Sequence, residues 1–377
     1  MTEAIKERVA ILRSNPVAPD PRVEKLARTL LADGRLVLIL AWDRTGKLPT
    51  REEVTSIGSL YRLRLRARYG SGIRNLPLLL IWQLFLLYSL ISRRRRYDVI
   101  HACDFDTVLP AILVGRLLGK AVIFDIFDMY SDSVRATPGL LLKLIRQMEI
   151  FAINRASAVI LADDSRRQQI AGSRPNKLIV VYNSPASVAV EGLDRLPPVD
   201  SFRLVYVGLL VRQRSLEEVI EIVGHHPTWR LDLAGFGGDQ AEILDLARKY
   251  ENLSFHGRVD YEKALAMTAA ADAVFAIYDP GVPNHRYSSP NKVFEAMMLG
   301  KPLVVAHGTN MDKIVETHGC GLVVDYGDAE QIEAALSRLA DDPDLRERLG
   351  QAGKRAYVGH FSWPLMAERI TQLYFEL

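Results

Sequence analysis

Residues 288–302 read SSPNKVFEAMMLGKP, and this stretch predicts a helix whose first turn is prepared to hold an anion. Ser289 is a favoured N-cap residue, and Pro290 is a favoured first helical residue. Free backbone N–H groups, the helix macrodipole and the ammonium group of Lys292 all favour a phosphate at such a helix start. The stretch therefore predicts an anion site.

The same helix is expected to carry one polar and one apolar face. Helical spacing places three polar residues together: Asn291, Lys292 and Glu295. Phe294 and Met297 lie on another face and are expected to pack in a core. One turn beyond the anion site, the Glu295 carboxylate is suited to accept two hydroxyl hydrogen bonds, as from a ribose. Phosphate and ribose contacts together indicate a nucleotide site, and exposed helical side chains are the alternative interpretation.

Composition indicates a folded chain with two domains. At about 150 residues per domain, 377 residues exceed one ordinary core. Residues 1–9 carry four charged side chains and no apolar core, so we expect no signal peptide and a cytoplasmic location. Cys103 and Cys320 lie in separate apolar, strand-like segments. We interpret both as core residues and expect neither a disulfide nor a metal site.

Apolar strands that alternate with amphipathic helices predict an α/β fold with parallel sheets and right-handed crossovers. The first series of strands is predicted at residues 9–12, 36–41, 99–102, 121–124, 158–161 and 178–181. The second series is predicted at residues 202–207, 230–234, 253–256, 273–277, 303–306 and 322–324. Residues 183–199 break the pattern with prolines and a glycine, which is typical of a linker. We therefore predict two Rossmann-like, doubly wound domains, at residues 1–190 and 191–361.

Loops that follow strands of the second domain hold the main candidates for ligand binding. Ligands of such sheets bind outside the carboxyl ends of the strands, which predicts a site in the cleft between the domains. Gly208 ends one strand, and Arg212 and Arg214 follow it. Residues 215–218, Ser-Leu-Glu-Glu, predict a capping box that opens the next helix. A solvated loop arginine is the alternative interpretation of either side chain.

Gly235 and Gly237 follow the next strand, where glycine lets backbone approach a ligand closely. A tight strand-to-helix turn explains them equally well. The segment is not a dinucleotide fingerprint, because Gln240 stands where that motif requires glycine.

In the first domain, Asp128 follows a strand and is a candidate for orienting a substrate. His101 also lies near a strand end, but a hydrogen-bonded structural histidine is the favoured interpretation. Asp20 and Arg22 are interpreted first as an N-cap and a first-turn residue, with phosphate contact by Arg22 as the alternative.

Six short segments occur in the order and spacing of one protein family. They are DPRV at 20–23, DVIHACD at 98–104, VYN at 181–183, VYVG at 205–208, AGFG at 234–237 and CGLVV at 320–324. Together with EAMMLGKP at 295–302, they make nearly the whole chain resemble the family 4 glycosyltransferases of the GT-B fold. The resemblance implies two facing Rossmann-like domains with an interdomain cleft, and a final helix at 362–377 that packs on the acceptor-binding first domain.

The resemblance also implies a retaining transfer of a sugar from a UDP- or GDP-linked donor to an acceptor hydroxyl, without a metal cofactor. Catalytic roles fall to Asp128, Arg214 and Lys292. The implied donor-binding residues are Gly208, Arg212, Arg214, Gly235, Gly237, Ser289, Asn291, Lys292 and Glu295. The chain departs from the family pattern at two positions: Leu209 replaces a usual arginine, and Tyr287 replaces the first of two motif glutamates.

A basic stretch suggests a membrane partner. Residues 54–97 contain nine arginines and no acidic residue, around an apolar segment at 76–91 that is shorter than the ~20 residues needed to span a bilayer. We predict that residues 62–96, with Trp82, Phe85 and Tyr88, dock peripherally on the anionic cytoplasmic membrane face and meet a lipid or lipid-linked glycan acceptor. A buried helix followed by a solvated arginine turn is the alternative.

Two other functions compete with sugar transfer. A sugar-nucleotide epimerase of the GT-B fold would share the nucleotide site but would need acid and base carboxylates at the sugar. A nucleic-acid-binding protein would use the nine arginines, but P-loop, zinc-finger and RNP signatures are absent from the sequence. We therefore expect no nucleic-acid partner.

Overall fold

The computed structural model describes residues 7–17, 19–67, 75–133, 139–186, 196 and 201–377, and the chain forms two α/β units. Unit 1 comprises Met1–Tyr182 and Met366–Leu377, and unit 2 comprises Asn183–Leu365. The sequence had indicated a boundary at residue 190. The linker predicted at 183–199 lies largely outside the described residues.

Unit 1 is built on one eight-stranded sheet. Its strands are β1 (Arg8–Arg13), β2 (Leu36–Asp43), β3 (Arg51–Val54), β4 (Gly58–Arg64), β5 (Val99–Cys103), β6 (Ala121–Ile126), β7 (Ala158–Leu161) and β8 (Leu178–Val180). The strand order is β3-β4-β2-β1-β5-β6-β7-β8, and only β3 pairs antiparallel. The central strands are buried along nearly their whole length, as expected when helices cover both faces of a parallel sheet.

The helices of unit 1 connect these parallel strands. They are α1 (Pro21–Ala32), α2 (Leu76–Ser92), α3 (Phe105–Leu118), α4 (Tyr130–Ser133) and α5 (Gly139–Arg155). Helix α1 begins as predicted, because the Asp20 carboxylate accepts a hydrogen bond from the backbone N–H of Val23 and Pro21 occupies the first turn. Helix α2 packs against α3.

Unit 2 is built on a six-stranded, fully parallel sheet. Its strands are β9 (Phe202–Leu209), β10 (Trp229–Phe236), β11 (Leu253–Phe255), β12 (Ala273–Ala276), β13 (Leu303–Ala306) and β14 (Gly321–Val324), in the order β11-β10-β9-β12-β13-β14. Its helices are α6 (Leu216–Gly224), α7 (Gln240–Ala247), α8 (Tyr261–Ala270), α9 (Asn291–Met298), α10 (Met311–His318), α11 (Ala329–Asp341) and α12 (Pro343–Ala356). Each of the twelve strands predicted from the sequence is present in one of the two sheets.

The chain ends in helix α13 (Trp363–Phe375), whose residues from Met366 onward belong to unit 1. The Tyr374 hydroxyl lies 2.8 Å from Nδ1 of buried His101, and Arg369 donates to the carbonyl of Val180 at 2.9 Å. Lys177 and Glu376 form an ion pair. The chain therefore returns to its first sheet, and His101 has the structural role that the sequence favoured.

Two residues of the predicted membrane surface are buried instead. Arg62 lies on β4, where the alternation of the strand turns it inward, and its guanidinium pairs with Glu52 at 2.6 Å. Trp82 is fully buried, and its ring stacks 5.8 Å from that of Trp42. Arg68 and Arg74 of the same prediction lie outside the described residues. Neither Arg62 nor Trp82 is therefore available to a membrane.

Candidate functional site

The candidate site lies at the carboxyl ends of β9 and β12, which are neighbours in the sheet of unit 2. Strand β9 leads into a 3-10 turn at Arg212–Arg214, and β12 leads through a second turn at Pro283–Tyr287 into α9. A backbone hydrogen bond of 3.0 Å from Asp279 to Gln213 joins the two loops. The parallel sheet thus brings together side chains that lie far apart in the sequence.

Lys292, at the start of α9, has a buried ammonium group on an aromatic surface. Its Nζ lies 3.4 Å from the centre of the Tyr206 ring and 5.9 Å from the centre of the Tyr278 ring. No hydrogen bond to the described residues satisfies this nitrogen. Burial, and next the nearby Arg214 charge, hold the pKa of Lys292 well below its usual value, whereas Glu295 opposes the shift. Such a group gains strongly from an anionic ligand.

Arg214 is the second cation of the site. Its Nη1 donates to the Tyr206 hydroxyl at 3.2 Å, and its guanidinium carbon lies 4.5 Å from the centre of the Tyr278 ring. Its Nε is buried without a hydrogen-bond partner among the described residues. The sequence predicted Arg214 and Lys292 separately, and the structure brings them together.

Gly208 is the third predicted residue that belongs to this cluster. A Cβ at this position would lie 3.2 Å from Nζ of Lys292 and 3.4 Å from both Nη1 of Arg214 and the Tyr206 hydroxyl oxygen. Any side chain would therefore crowd the two cations. Glycine keeps the strand end open in front of them.

Tyr206 and Tyr278 were not identified as site residues from the sequence. Tyr206 is 1% exposed, and its hydroxyl donates to the carbonyl of Leu209 at 2.7 Å. Tyr278 follows β12, and its hydroxyl is buried without a hydrogen-bond partner among the described residues. The strand repeat of two puts positions 206 and 208 on the same face, which was a usable signal for Tyr206. Tyr278 had no comparable signal.

Gly235 and Gly237 are explained by the neighbouring strand. A Cβ on Gly235 would overlap the carbonyl oxygen of Gly208, and a Cβ on Gly237 would overlap that of Leu210. Gly235 also has a positive φ of 146°. Close approach of β10 to β9 thus accounts for both glycines, whether or not a ligand also contacts their backbone.

The start of α9 differs from the prediction. The helix begins at Asn291, its N-cap is Pro290 rather than Ser289, and no side chain caps it. The reason is that Pro290 has an extended ψ of 151°, which keeps it outside the helix, and proline offers no side-chain acceptor. The half-buried Asn291 and Lys292 therefore begin a helix whose first turn has no side-chain cap, so no side chain competes with an anion for its backbone N–H groups.

Glu295 lies one turn further along α9 and contacts the first residue of α8. The Tyr261 hydroxyl is hydrogen-bonded to the Glu295 carboxylate, and burial followed by this carboxylate raises the pKa of Tyr261. Glu295 is half-buried, so it is not a freely solvated helical side chain. Its carboxylate already accepts a hydrogen bond from a hydroxyl group.

Arg212 stays apart from the cations. Its side chain is 57% exposed and pairs with Glu217 at 3.2 Å. The predicted capping box at 215–218 is wrong, because Ser215 has a left-handed backbone (φ 46°) and makes no side-chain capping bond. The donor-binding role of Arg212 therefore stays a prediction, since its side chain pairs with Glu217 and not with the Lys292 and Arg214 cluster.

Asp128 belongs to unit 1, whereas the other predicted site residues belong to unit 2. Its carboxylate accepts a hydrogen bond of 2.8 Å from Arg166, and more than half of its side-chain surface is exposed. Arg166 in turn donates to Gln169, which contacts Asp132. The network fixes the orientation of Asp128 and leaves part of the carboxylate accessible.

One cluster in unit 1 has the side chains of a metal site. Ligand atoms of His101, Cys103 and Asp125 lie within 4.8 Å of one another. Asp125 already pairs with buried Arg22 at 2.7 Å, and burial raises the pKa of the Cys103 thiol. A guanidinium next to the carboxylate and a protonated thiol both disfavour a cation, so we assign no metal here.

Family models match both halves of the chain. The model described as "Glycosyl transferase 4-like domain" matches residues 18–184, and the model described as "Glycosyl transferases group 1" matches residues 194–356. The two matches together include the candidate site and nearly all elements of both units.

Individual proteins are more distantly similar. The glycogen synthase of Mycobacterium tuberculosis is 24% identical over 294 residues, which cover 75% of this chain and 70% of the relative. A GDP-mannose-dependent monoacylated α-(1-6)-phosphatidylinositol monomannoside mannosyltransferase of Corynebacterium glutamicum is 28% identical over 161 residues, 41% of this chain and 40% of the relative. The structure of HepE from Anabaena in complex with UDP has a TM-score of 0.73 at 15% identity and covers 98% of this chain and all of HepE. The last likeness shows a shared fold.

Proposed function

The chain belongs to the family 4 glycosyltransferases of the GT-B fold, and from this membership we propose that it moves a sugar from a nucleoside diphosphate to an acceptor hydroxyl with retention of configuration. Sugar transfer in glycan biosynthesis fits the named relatives, which are transferases. The epimerase and nucleic-acid-binding alternatives are not favoured by these comparisons.

The pairing of Lys292 with Arg214 is the observation that carries the proposal. In the part of the chain that the structure describes, no salt bridge neutralises either cation. Two basic side chains without a salt bridge, at a helix start without a side-chain cap, suit the charge of a diphosphate. As the bond between the sugar and the diphosphate breaks, they would stabilise the negative charge that develops on the leaving group. The proposed chemistry requires no metal ion.

The donor is proposed to be a UDP- or GDP-linked sugar held by its ribose and its diphosphate. Glu295 is assigned to the ribose hydroxyls, because it is half-buried and already accepts a hydrogen bond from the hydroxyl group of Tyr261. HepE was crystallised in complex with UDP, and the corynebacterial mannosyltransferase is dependent on GDP-mannose. Both relatives support a nucleotide donor and leave the base open between uracil and guanine.

Retention is proposed to proceed without a protein nucleophile. The bond from the anomeric carbon to the diphosphate oxygen breaks, the acceptor oxygen bonds to the same face of that carbon, and the acceptor proton passes to the leaving phosphate. Asp128 is assigned to orient the acceptor hydroxyl, since part of its carboxylate is exposed.

A lipid or lipid-linked glycan is the proposed acceptor class, and an anionic membrane is the proposed docking partner of unit 1. Helix α2 exposes Leu80, Leu84 and Tyr88, with 72% exposure at Tyr88, and neighbouring α3 exposes Leu113 and Leu117. Directly after α2 come Arg93, Arg94, Arg95 and Arg96, of which the last three are exposed. Apolar side chains beside cations are typical of surfaces that lie on anionic bilayers.

The proposed membrane association is peripheral. Within the described residues, no helix combines the length and the apolar content required to cross a bilayer. The proposed membrane surface differs from the sequence-based prediction, because Trp82 is buried and the exposed leucines of α2 and α3 take its place. Phe85 is half-buried and stacks on Trp82.

A thermal-shift panel of UDP-, GDP- and dTDP-linked sugars tests the donor assignment. A bound donor at about 100 times its dissociation constant should add roughly 2.7 kcal/mol to the free energy of unfolding, so one nucleotide should raise the melting temperature most. Release of free sugar from that donor, measured without an acceptor, would then show that the protein cleaves the bond between sugar and diphosphate and transfers the sugar to water. Failure of every nucleotide to stabilise the protein would contradict the proposed function.

A further inference from the structure

Tyr206 contacts both cations of the candidate site with different parts of its side chain. Its ring face lies 3.4 Å from Nζ of Lys292, and its hydroxyl accepts a hydrogen bond of 3.2 Å from Arg214. That hydroxyl donates its own proton to the carbonyl of Leu209 at 2.7 Å. The oxygen lone pairs therefore stay directed to Arg214, and the phenol cannot rotate freely.

We propose that Tyr206 is a positioning residue that holds Lys292 and Arg214 together for the donor diphosphate. The proposal rests on the donor site proposed above and adds a residue whose role is to preorganise it. Like charges repel when they are buried close together, and in the described part of the chain neither Lys292 nor Arg214 has a salt bridge. The charge of Glu295 favours the protonated form of Lys292 without forming one. The electron-rich ring face and the phenolic oxygen supply the attraction that an acidic residue would otherwise supply.

An aromatic support suits this task better than a carboxylate. A carboxylate would neutralise the cations and would compete with phosphate for them. The tyrosine holds them without cancelling their charge, because the pKa of its buried phenol is raised and the group stays neutral. Tyr278 extends the support, since its ring lies 4.5 Å from the guanidinium carbon of Arg214. A bound diphosphate then meets two basic side chains that are already in position, which reduces the ordering cost of binding.

The test compares Tyr206→Phe and Tyr206→Leu with the wild-type protein. The probes are UDP, GDP, UMP and GMP, and affinities are measured by titration calorimetry. Tyr206→Phe keeps the ring beneath Lys292 and removes the hydroxyl, with its bonds to Arg214 and to the Leu209 carbonyl. We therefore expect an approximately threefold loss of affinity for the preferred nucleoside diphosphate. Tyr206→Leu removes both supports and should weaken that binding by about tenfold or more. The corresponding monophosphate should lose less than about twofold in either variant.

Tyr250→Phe is the matched control, because among the described residues the Tyr250 hydroxyl donates to Glu221, on the surface of unit 2. Circular dichroism and melting temperature verify folding, and Tyr206→Phe keeps the test valid if the leucine variant unfolds. Equal losses for diphosphate and monophosphate, or unchanged diphosphate affinity in both variants, would overturn the positioning role while the donor site stands. If the wild-type protein binds none of the four nucleotides, the donor site itself is wrong and the role of Tyr206 falls with it.

Discussion

The ammonium nitrogen of Lys292 lies 3.4 Å from the centre of the Tyr206 ring, in a buried position where no hydrogen bond to the described residues satisfies it. A lysine held in this way costs free energy, because its charge has left water without gaining a hydrogen-bonded anion. An aromatic ring recovers part of that cost. The arrangement is therefore suited to a site whose partner is a bound anion.

The first prediction concerns proton uptake by Lys292. Burial lowers its pKa in the free protein, whereas a bound diphosphate should raise it. At a pH between the pKa of Lys292 in the free protein and its pKa in the complex, binding takes up a proton. The affinity should therefore be highest below the pKa of the free protein and should fall as the pH rises from that value to the pKa of the complex. Calorimetry of UDP or GDP binding in two buffers of different ionisation enthalpy measures the protons taken up. The work is done above pH 7, where the terminal phosphate with its pKa of about 6 stays ionised.

Lys292→Met supplies the control for this prediction. It should bind the diphosphate about tenfold to a hundredfold more weakly, which corresponds to a charge-assisted bond of roughly 1.5–3 kcal/mol, and should show no linked proton. Proton uptake that persists in the methionine variant would assign the titration to another group.

The second prediction concerns the ribose. Glu295→Ala should weaken binding of the preferred ribonucleoside diphosphate by about tenfold, because a charged acceptor for the hydroxyl groups is lost. A dideoxyribose analogue of the same diphosphate lacks those hydroxyl groups and should bind the wild-type protein and the variant alike. Competition binding with both compounds measures the difference. If Glu295→Ala weakened the binding of both compounds equally, the assignment of Glu295 to the ribose hydroxyls would be wrong.

The third prediction separates the two arginines. Arg214→Ala should reduce diphosphate affinity and turnover about tenfold or more and should leave monophosphate binding nearly unchanged, since Arg214 is assigned to the diphosphate. Arg212→Ala is the matched comparison, because its exposed side chain already pairs with Glu217. If Arg212→Ala instead lost diphosphate affinity and Arg214→Ala kept it, the diphosphate contact would be assigned to Arg212.

The fourth prediction concerns Gly235. A methyl group there would overlap the carbonyl oxygen of Gly208, and the positive φ of 146° disfavours alanine in any case. Gly235→Ala should therefore destabilise unit 2 by about 3 kcal/mol, the upper end of what overpacking costs. A unit of this size should melt roughly 10 °C lower. Gly238→Ala has open space around its Cβ and serves as the control. An unchanged melting temperature for Gly235→Ala would contradict the close-packing explanation.

The fifth prediction concerns the membrane. Reversal of Arg93, Arg94, Arg95 and Arg96 to glutamate should release the protein from vesicles that contain anionic lipid, since each arginine near such a surface contributes about 1 kcal/mol. Leu80→Ser with Leu84→Ser should weaken binding even at high salt. The charge-matched control reverses four exposed basic residues of unit 2, Arg338, Arg348, Lys354 and Arg355. Sedimentation that is equal in all variants would rule out this surface.

The strand pattern was readable from the sequence because parallel strands covered on both faces are continuous apolar runs. All twelve predicted strands are present, whereas the β3–β4 hairpin was not predicted. Its strands, REEV and GSLYRLR, carry charged side chains and look like loops. An inward-pointing Arg62 is acceptable there because its guanidinium pairs with Glu52 and donates to backbone carbonyls, among them that of Pro16.

The candidate site was readable in part for a related reason. Gly208, Arg214 and Lys292 follow strands or begin helices, and in a parallel α/β sheet all such positions meet at one edge. The aromatic support was not readable, because Tyr206 and Tyr278 resemble ordinary core residues in an apolar strand context. The absent caps at Ser289 and Ser215 were also unreadable, since each depends on local backbone angles rather than on residue type.

The sequence by itself determined the order of most strands and helices, the two α/β domains and the family, and it indicated the candidate site residues, because these follow from local periodicity and from short motifs. Tertiary structure alone decided which polar groups are paired. The buried guanidinium groups of Arg22 and Arg62 pair with carboxylates, whereas the ammonium of Lys292 lies on a tyrosine that precedes it by more than eighty positions in the sequence. Partnership and burial depend on contacts between distant segments, and these contacts set both the pKa of a group and its readiness to bind a ligand.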